Sequence, residues 1–203
     1  LAHYFREAGY EVGYLGKWHL ANTGEKPVPA ELRGGYVDFW EAADLLEFTS
    51  HPYDCRMFDA HNQEILLTHE EPGRRPGYRV DAITDRAIDF ITRDHDRPFF
   101  LFISYLEPHH QNDWNAFVAP DEYRDLYRNP WVPPDLLARP GDWYEHLPGY
   151  YGMVKRLDDN LGRLLTALDA HGLTDNTLVA FLSDHGCHFR TRNSEYKRSC
   201  HEA

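Results

Sequence analysis

FFLFISYLEPHH, residues 99–110, carries an unbroken apolar run from Phe99 to Ile103 that stops at Ser104 and gives way to Glu107, Pro108, His109 and His110. Continuous apolarity entered from Pro98 fits a strand covered on both faces, because a half-wet strand would alternate. A polar cluster just past such a strand sits where open α/β sheets bind their ligands.

Upstream, Tyr78 to Asp94 has Ile83, Ala87, Phe90 and Ile91 at helical spacing, which predicts an amphipathic helix. Downstream, Trp143 to His171 repeats Tyr150, Val154, Leu157, Leu161, Leu164, Leu165 and Leu168 at spacings of three and four, and Gly172 supplies the stop. Thr177 to Leu182 reads as a second buried strand and ends at Ser183, Asp184, His185 and Gly186. At the start, Leu1, Tyr4, Phe5 and Ala8 mark a helix face with Gly9 as its stop, and Tyr10 to Leu15 reads as a strand that runs into Gly16, Lys17, Trp18 and His19. Residues 20–77 and 106–142 show little periodicity and many Pro and Gly residues, and are expected to be loop-rich excursions. Helices alternating with strands predict an α/β domain with a largely parallel central sheet flanked by helices.

The chain has 203 residues, room for one domain with a real core. It lacks an initiator Met, opens inside a helix pattern and ends at Ala203 without a closing element, so residues 1–203 are expected to be a single partial domain of a longer protein. The net charge of -12 argues against broad attraction for nucleic acid. No apolar run approaches a membrane span. The three cysteines, Cys55, Cys187 and Cys200, cannot all pair within the chain and make no spaced disulfide framework.

Three polar clusters at three strand ends should converge on one pocket. Lys17 and His19, two apart in extended chain, point the same way, while Trp18 turns to the opposite side and packs. A lysine offers fixed positive charge, and a histidine donates to an oxyanion or moves a proton near neutral pH. Asp184 and His185 are suitable ligands for a divalent cation if the chain bends at Gly186. His109 and His110 follow Pro108, and either can act as a general acid. Lys197, further along the chain from the candidate metal pair, can return to neutralise the same anion. Taken singly, each motif has an ordinary explanation as a surface charge or a packed histidine.

Together the segments resemble the sulfatase family of the alkaline-phosphatase-like superfamily. Gly9-Tyr-Glu-Val-Gly-Tyr-Leu-Gly-Lys-Trp-His19 is similar to a signature of that family ending in Gly-Lys-x-His or Gly-Lys-x-x-His. Phe99 to His109 resembles the strand and Pro-His that follow. Phe181-Leu-Ser-Asp-His-Gly186 resembles the metal segment, and Tyr196-Lys197 through Ala203 the start of the lysine segment. The resemblance implies an alkaline-phosphatase-like fold and hydrolysis of sulfate esters, of an aryl or saccharide type, by a formylglycine nucleophile with a divalent cation. Calcium is the family's usual ion, and the imidazole of His185 also admits manganese or zinc. It implies Asp184 and His185 as metal ligands and Lys17 and Lys197 as sulfate-holding cations. His19 would be the base that releases sulfate, and His109 the sulfate-binding acid. His110 is assigned to the substrate side. A formylglycine-generating or sulfatase-maturing enzyme is the implied partner, and a periplasmic, secreted or lysosomal-type location is expected by family.

Two features depart from the family pattern. No Cys/Ser-x-Pro-x-Arg segment occurs, and the N-terminal acidic metal ligands are missing. Both are expected outside this chain, which alone should not turn over. A phosphonate or phosphodiester hydrolase of the same superfamily is the nearest rival, although Lys17-Trp-His19 favours sulfate. A pseudoenzyme without the nucleophile is another. A non-catalytic zinc module built on His185, Cys187, His188, Cys200 and His201 is a rival of a different class, but its spacing matches no common finger.

Overall fold

A computed structural model describes residues 1–68 and 77–200. In chain order its regular elements are helix α1 (Ala2–Glu7), strand β1 (Glu11–Lys17), β2 (Phe39–Ala43), α2 (Leu46–Thr49), β3 (Arg56–Phe58), β4 (Glu64–Leu66), α3 (Arg79–Thr92), β5 (Phe99–Ser104), α4 (Asp121–Leu126), α5 (Pro134–Leu137) and α6 (Trp143–Ala170). The five strands form one sheet in the order β4-β3-β2-β1-β5. β1 pairs in parallel with β2 and with β5, while β2–β3 and β3–β4 are antiparallel. One half of the sheet, β2-β1-β5, is therefore parallel, as the alternation of elements predicts, and the other half, β2-β3-β4, is antiparallel.

β1 is covered on both faces by different sets of residues. Leu15 faces a core built from Met57, Ile83, Ala87 and Phe90, with Leu164 and Leu168 of α6 behind them. Val12, Tyr14 and Trp18 face the opposite way, onto Val28, Tyr36 and Trp40. This is period-two alternation with both sides buried. A third apolar group, Phe117, Leu136, Leu147, Met153 and Phe189, holds the 106–142 excursion and the 187–196 segment against the first half of α6.

Register sets the position of the site. Lys17 of β1 is level with Ala43 of β2, and Gly16 is level with Ser104 of β5. The chain thus leaves all three parallel strands at one edge of the sheet. Gly16 makes this closeness possible: at φ 109° a Cβ there would lie 2.0 Å from the Ser104 carbonyl oxygen, a contact that only glycine avoids.

The loop-rich stretch 20–77 carries the short elements β2, α2, β3 and β4. Its strands are short, and β2 carries Glu41, whose charge hides the strand pattern but is met by Arg86 Nε at 2.9 Å. Thr177–Leu182 is not a strand of the sheet: Leu178, Phe181 and Leu182 are 96%, 66% and 75% exposed. The run stays outside the sheet although β5, the end strand, pairs with β1 alone, so apolarity without pairing does not make it a strand. Among the described residues no helix is long and apolar enough to cross a membrane.

Candidate active site

The aligned strand ends deliver their side chains to one place. Lys17 closes β1, and its Nζ lies 3.1 Å from each carboxylate oxygen of Glu47, which the chain after β2 brings up on α2. The turn after β5 presents His109. Its Nδ1 is 2.6 Å from the His110 carbonyl oxygen, and its Nε2 is 3.3 Å from Lys197 Nζ. A carbonyl can only accept, so Nδ1 carries the proton and Nε2 offers its lone pair to the ammonium. Lys197 has come from 88 residues further along the chain.

Charge links the members of the group. Burial, with Lys17 and Lys197 adding to it, pushes the His109 pKa down to about 4. Burial likewise lowers Lys197, and Lys17 lowers it further, while Asp184 and Glu47 oppose the change. Burial alone would raise the Glu47 carboxyl, but Lys17 and His109 hold it below the usual range. Two ammonium groups crowd one half-buried neutral imidazole, an arrangement whose repulsion a bound anion would relieve.

Of the remaining site candidates, the charge of Asp184 reaches Lys197. His19 is held by its N–H donating to the Asp44 carbonyl oxygen at 2.9 Å, but it has φ 52° and an exposed side chain with no hydrogen bond among the described residues. The extended conformation ends at Lys17, so the two-residue alternation does not carry His19 in with Lys17. Trp18 does pack, at 9% exposure. Asp184 is exposed, and its Oδ2 lies 3.2 Å from His185 Nε2. The His185 N–H donates to Asp184 Oδ1 at 2.9 Å, so the bend before Gly186 brings carboxylate and imidazole together. His110 is buried among aromatic rings, 4.4 Å from Tyr196 and 5.1 Å from Phe117 between centroids, and burial lowers its pKa.

A carboxylate and an imidazole 3.2 Å apart suit a divalent cation as two of its donors. They do not complete a coordination sphere, and among the described residues no group of three His, Cys, Asp or Glu side chains is placed to hold a metal. The same observation removes support from a Cys/His zinc module; His201 lies outside the described residues. Cys55 is fully buried, and burial pushes its thiol up to about 12.

Two residues of the candidate site escape a reading by motif. Glu47 lies in a stretch without periodicity, and only the pairing of β2 with β1 brings it to Lys17. Asp142, at the start of α6, anchors the segment that carries Lys197. It accepts from Tyr196 Oη at 2.8 Å and pairs with Arg190 Nη1 at 3.1 Å. The Arg190 guanidinium also lies over the Tyr196 ring, 4.5 Å from its centroid.

Comparison with known proteins gives the family. The sequence profile of the family described as Sulfatase matches residues 1–202. The chain is 33% identical over 196 residues to the ulvan-active sulfatase of Formosa agariphila, across 92% of this chain and 35% of that protein. Among solved structures, a Bacteroides fragilis protein named as the sulfatase yidJ superposes with TM-score 0.71 at 23% identity, over 95% of this chain and 44% of its own. A structure solved with its substrate D-glucosamine-2-N,6-O-disulfate superposes with TM-score 0.58 at 19% identity, over 93% and 50%. At these identities the two structures speak for the fold. The chain spans between a third and a half of the length of these proteins.

Proposed function

The chain belongs to the sulfatase family, and we propose that Lys17, His109 and Lys197 form the pocket for the sulfate group of an ester that the longer protein hydrolyses. The observation that carries this is the approach of Lys197 Nζ to His109 Nε2 at 3.3 Å, with Lys17 close enough to depress the same imidazole. Nothing in packing rewards gathering two ammonium groups around a neutral histidine. A tetrahedral dianion does, because it neutralises both.

Lys17 and Lys197 bind and orient the sulfate oxygens. His109, neutral in the empty pocket, gains affinity for a proton at Nε2 once an anion offsets the two ammoniums, and then donates it to the leaving oxygen. Its Nδ1–H stays on the His110 carbonyl, which fixes the ring. His19 is proposed as the base that handles the nucleophile, and its exposed side chain is free to turn inward. Asp184 and His185 would contribute two ligands to a divalent cation, calcium by family, with manganese or zinc admitted by the imidazole. A bound cation supplies polarisation of the sulfate oxygens. The formylglycine nucleophile and further metal ligands are proposed to lie in chain outside these residues, with a maturing enzyme to make the former. His110 acts through packing, as a support for the Tyr196 ring. A sulfated saccharide is the proposed substrate class. It is supported by the neighbour solved with D-glucosamine-2-N,6-O-disulfate.

The test is hydrolysis by the full-length protein of a sulfate ester against a phosphodiester of the same alcohol. Lys17→Met, Lys197→Met and His109→Ala should each lower kcat/KM for the sulfate ester by at least about 100-fold, the usual cost of removing a charged or proton-transferring group from the transition state. Preferential cleavage of the phosphodiester would overturn the assignment in favour of the related phosphoesterases.

A further inference from the structure

Glu47 is a surprising residue to find in a pocket for anions. It is 4% exposed, and its carboxylate lies 3.1 Å from Lys17 by both oxygens. Its backbone is fixed by Gln111 Nε2, which donates to the Glu47 carbonyl at 2.7 Å. Its charge also reaches His109 and Lys197. As a device for stability alone the pair is poorly explained, since a buried ion pair contributes little beyond an apolar pair of the same shape. As a general base Glu47 is badly placed, because both of its oxygens face an ammonium. What remains is its effect on potential. With Glu47 ionised and His109 neutral, Lys17, Lys197 and Glu47 leave one net positive charge. Without Glu47 there would be two.

We propose that Glu47 is a counter-charge that competes with the bound anion for Lys17, so that the pocket releases sulfate after it has been formed. The proposal rests on reading the pocket as a sulfate site. When an anion enters, Lys17 shares its ammonium between the anion and Glu47, and the repulsion between the two anionic groups keeps the complex weak. An anion pocket with two unopposed lysines would bind inorganic sulfate tightly and be inhibited by it.

The test uses the full-length protein with inorganic sulfate as the probe, in chelator-treated buffer at low ionic strength, by calorimetry and amide chemical shifts. Glu47→Gln keeps shape and removes the charge. It should bind sulfate on the order of tenfold more tightly, since one unit charge a few ångströms from a dianion is worth at least that in a partly buried site. The gain should shrink with added salt. It should disappear in Lys17→Met/Glu47→Gln, where no ammonium is released. Glu47→Asp, which draws the carboxylate back by one methylene, should tighten sulfate by a few-fold and serves if the Gln variant does not fold. Equal or weaker binding by folded variants would overturn the proposal and leave Glu47 as a residue that merely positions Lys17. If neither wild type nor variant binds sulfate, the anion pocket itself fails, and this inference with it. Binding by wild type without a gain in the variant rejects the counter-charge alone.

Discussion

The proton affinity of His109 is the most direct measure of how the site is built. The imidazole sits at about 4 against 6.5 for a free histidine because it is buried and faces Lys17 and Lys197. Replacing Lys197 with Met removes a unit charge whose Nζ is 3.3 Å from Nε2. Across 3–4 Å in strongly screened surroundings such a charge is worth about 1–2 kcal/mol, or roughly one pH unit in the His109 midpoint. The assay is the pH titration of the His109 ring by NMR in wild type, Lys197→Met and Lys17→Met. Each variant should move the midpoint upward, and saturating sulfate should do the same in wild type. A wild-type midpoint at or above 6.5, or one that Lys197→Met leaves unmoved, would refute the placement of these three groups.

The same depression has a consequence for folding with a defined sign. A histidine whose folded pKa lies below its unfolded value favours the unfolded state when protons are available, so stability is lost as pH falls from about 6.5 toward about 4. The gap between 6.5 and about 4, at about 1.36 kcal/mol per pH unit, sets a ceiling of about 3 kcal/mol, and solvent screening at a half-buried ring brings the expected loss to about 2 kcal/mol. Carboxylates titrate in the same window, so the informative quantity is the difference between wild type and His109→Gln in urea unfolding at pH 7 and pH 4.5. The Gln variant should lose about 2 kcal/mol less over that interval. Parallel losses in the two proteins would refute the assigned affinity.

Other expectations follow from particular contacts. Arg79 and Glu107 form a buried ion pair at 2.8 Å, with 2% and 1% of their side chains exposed, so Arg79→Met should cost about 3–5 kcal/mol in urea unfolding by stranding the carboxylate. Arg79→Met/Glu107→Leu should recover much of that, and an equal cost in single and double variants would exclude the pair as the cause. Gly16→Ala would place a methyl 2.0 Å from the Ser104 carbonyl oxygen and should separate β1 from β5, seen as loss of amide protection along both strands. Tyr196→Phe removes the hydrogen bond to Asp142 and should weaken sulfate binding several-fold while leaving the unfolding midpoint nearly unchanged; a large stability loss would mark Tyr196 as a core residue instead.

Much of the fold is legible in the sequence wherever one element carries its own periodicity. The stripes on α3 and α6 and the apolar run of β5 need no partner to be recognised, and they lie within a few residues of where the pattern puts them. The failures share a cause. β2 with its buried Glu41, the three-residue β3 and β4, and the exposed run at 178–182 depend on what lies next to them, and neighbours in space are not written in local pattern. Arg86 makes Glu41 tolerable in a strand, whereas nothing among the described residues receives Leu178 or Phe181.

The candidate site divides along the same line. Lys17, His109 and Lys197 stand out as charged residues just past apolar runs or within a family-like segment, and the structure gathers them around one imidazole. His19 stands out equally, but a left-handed residue at φ 52° turns it out of the alternation on which its placement relied. Glu47 does not stand out at all, because a carboxylate in a loop-rich, acidic chain is the least informative of residues. It becomes informative only once β2 pairs with β1 in register and sets a buried negative charge against Lys17. Attraction for an anion requires the lysines, which motif reading finds. Turnover also requires that the anion leave, and the residue able to enforce departure is one whose role exists only in three dimensions.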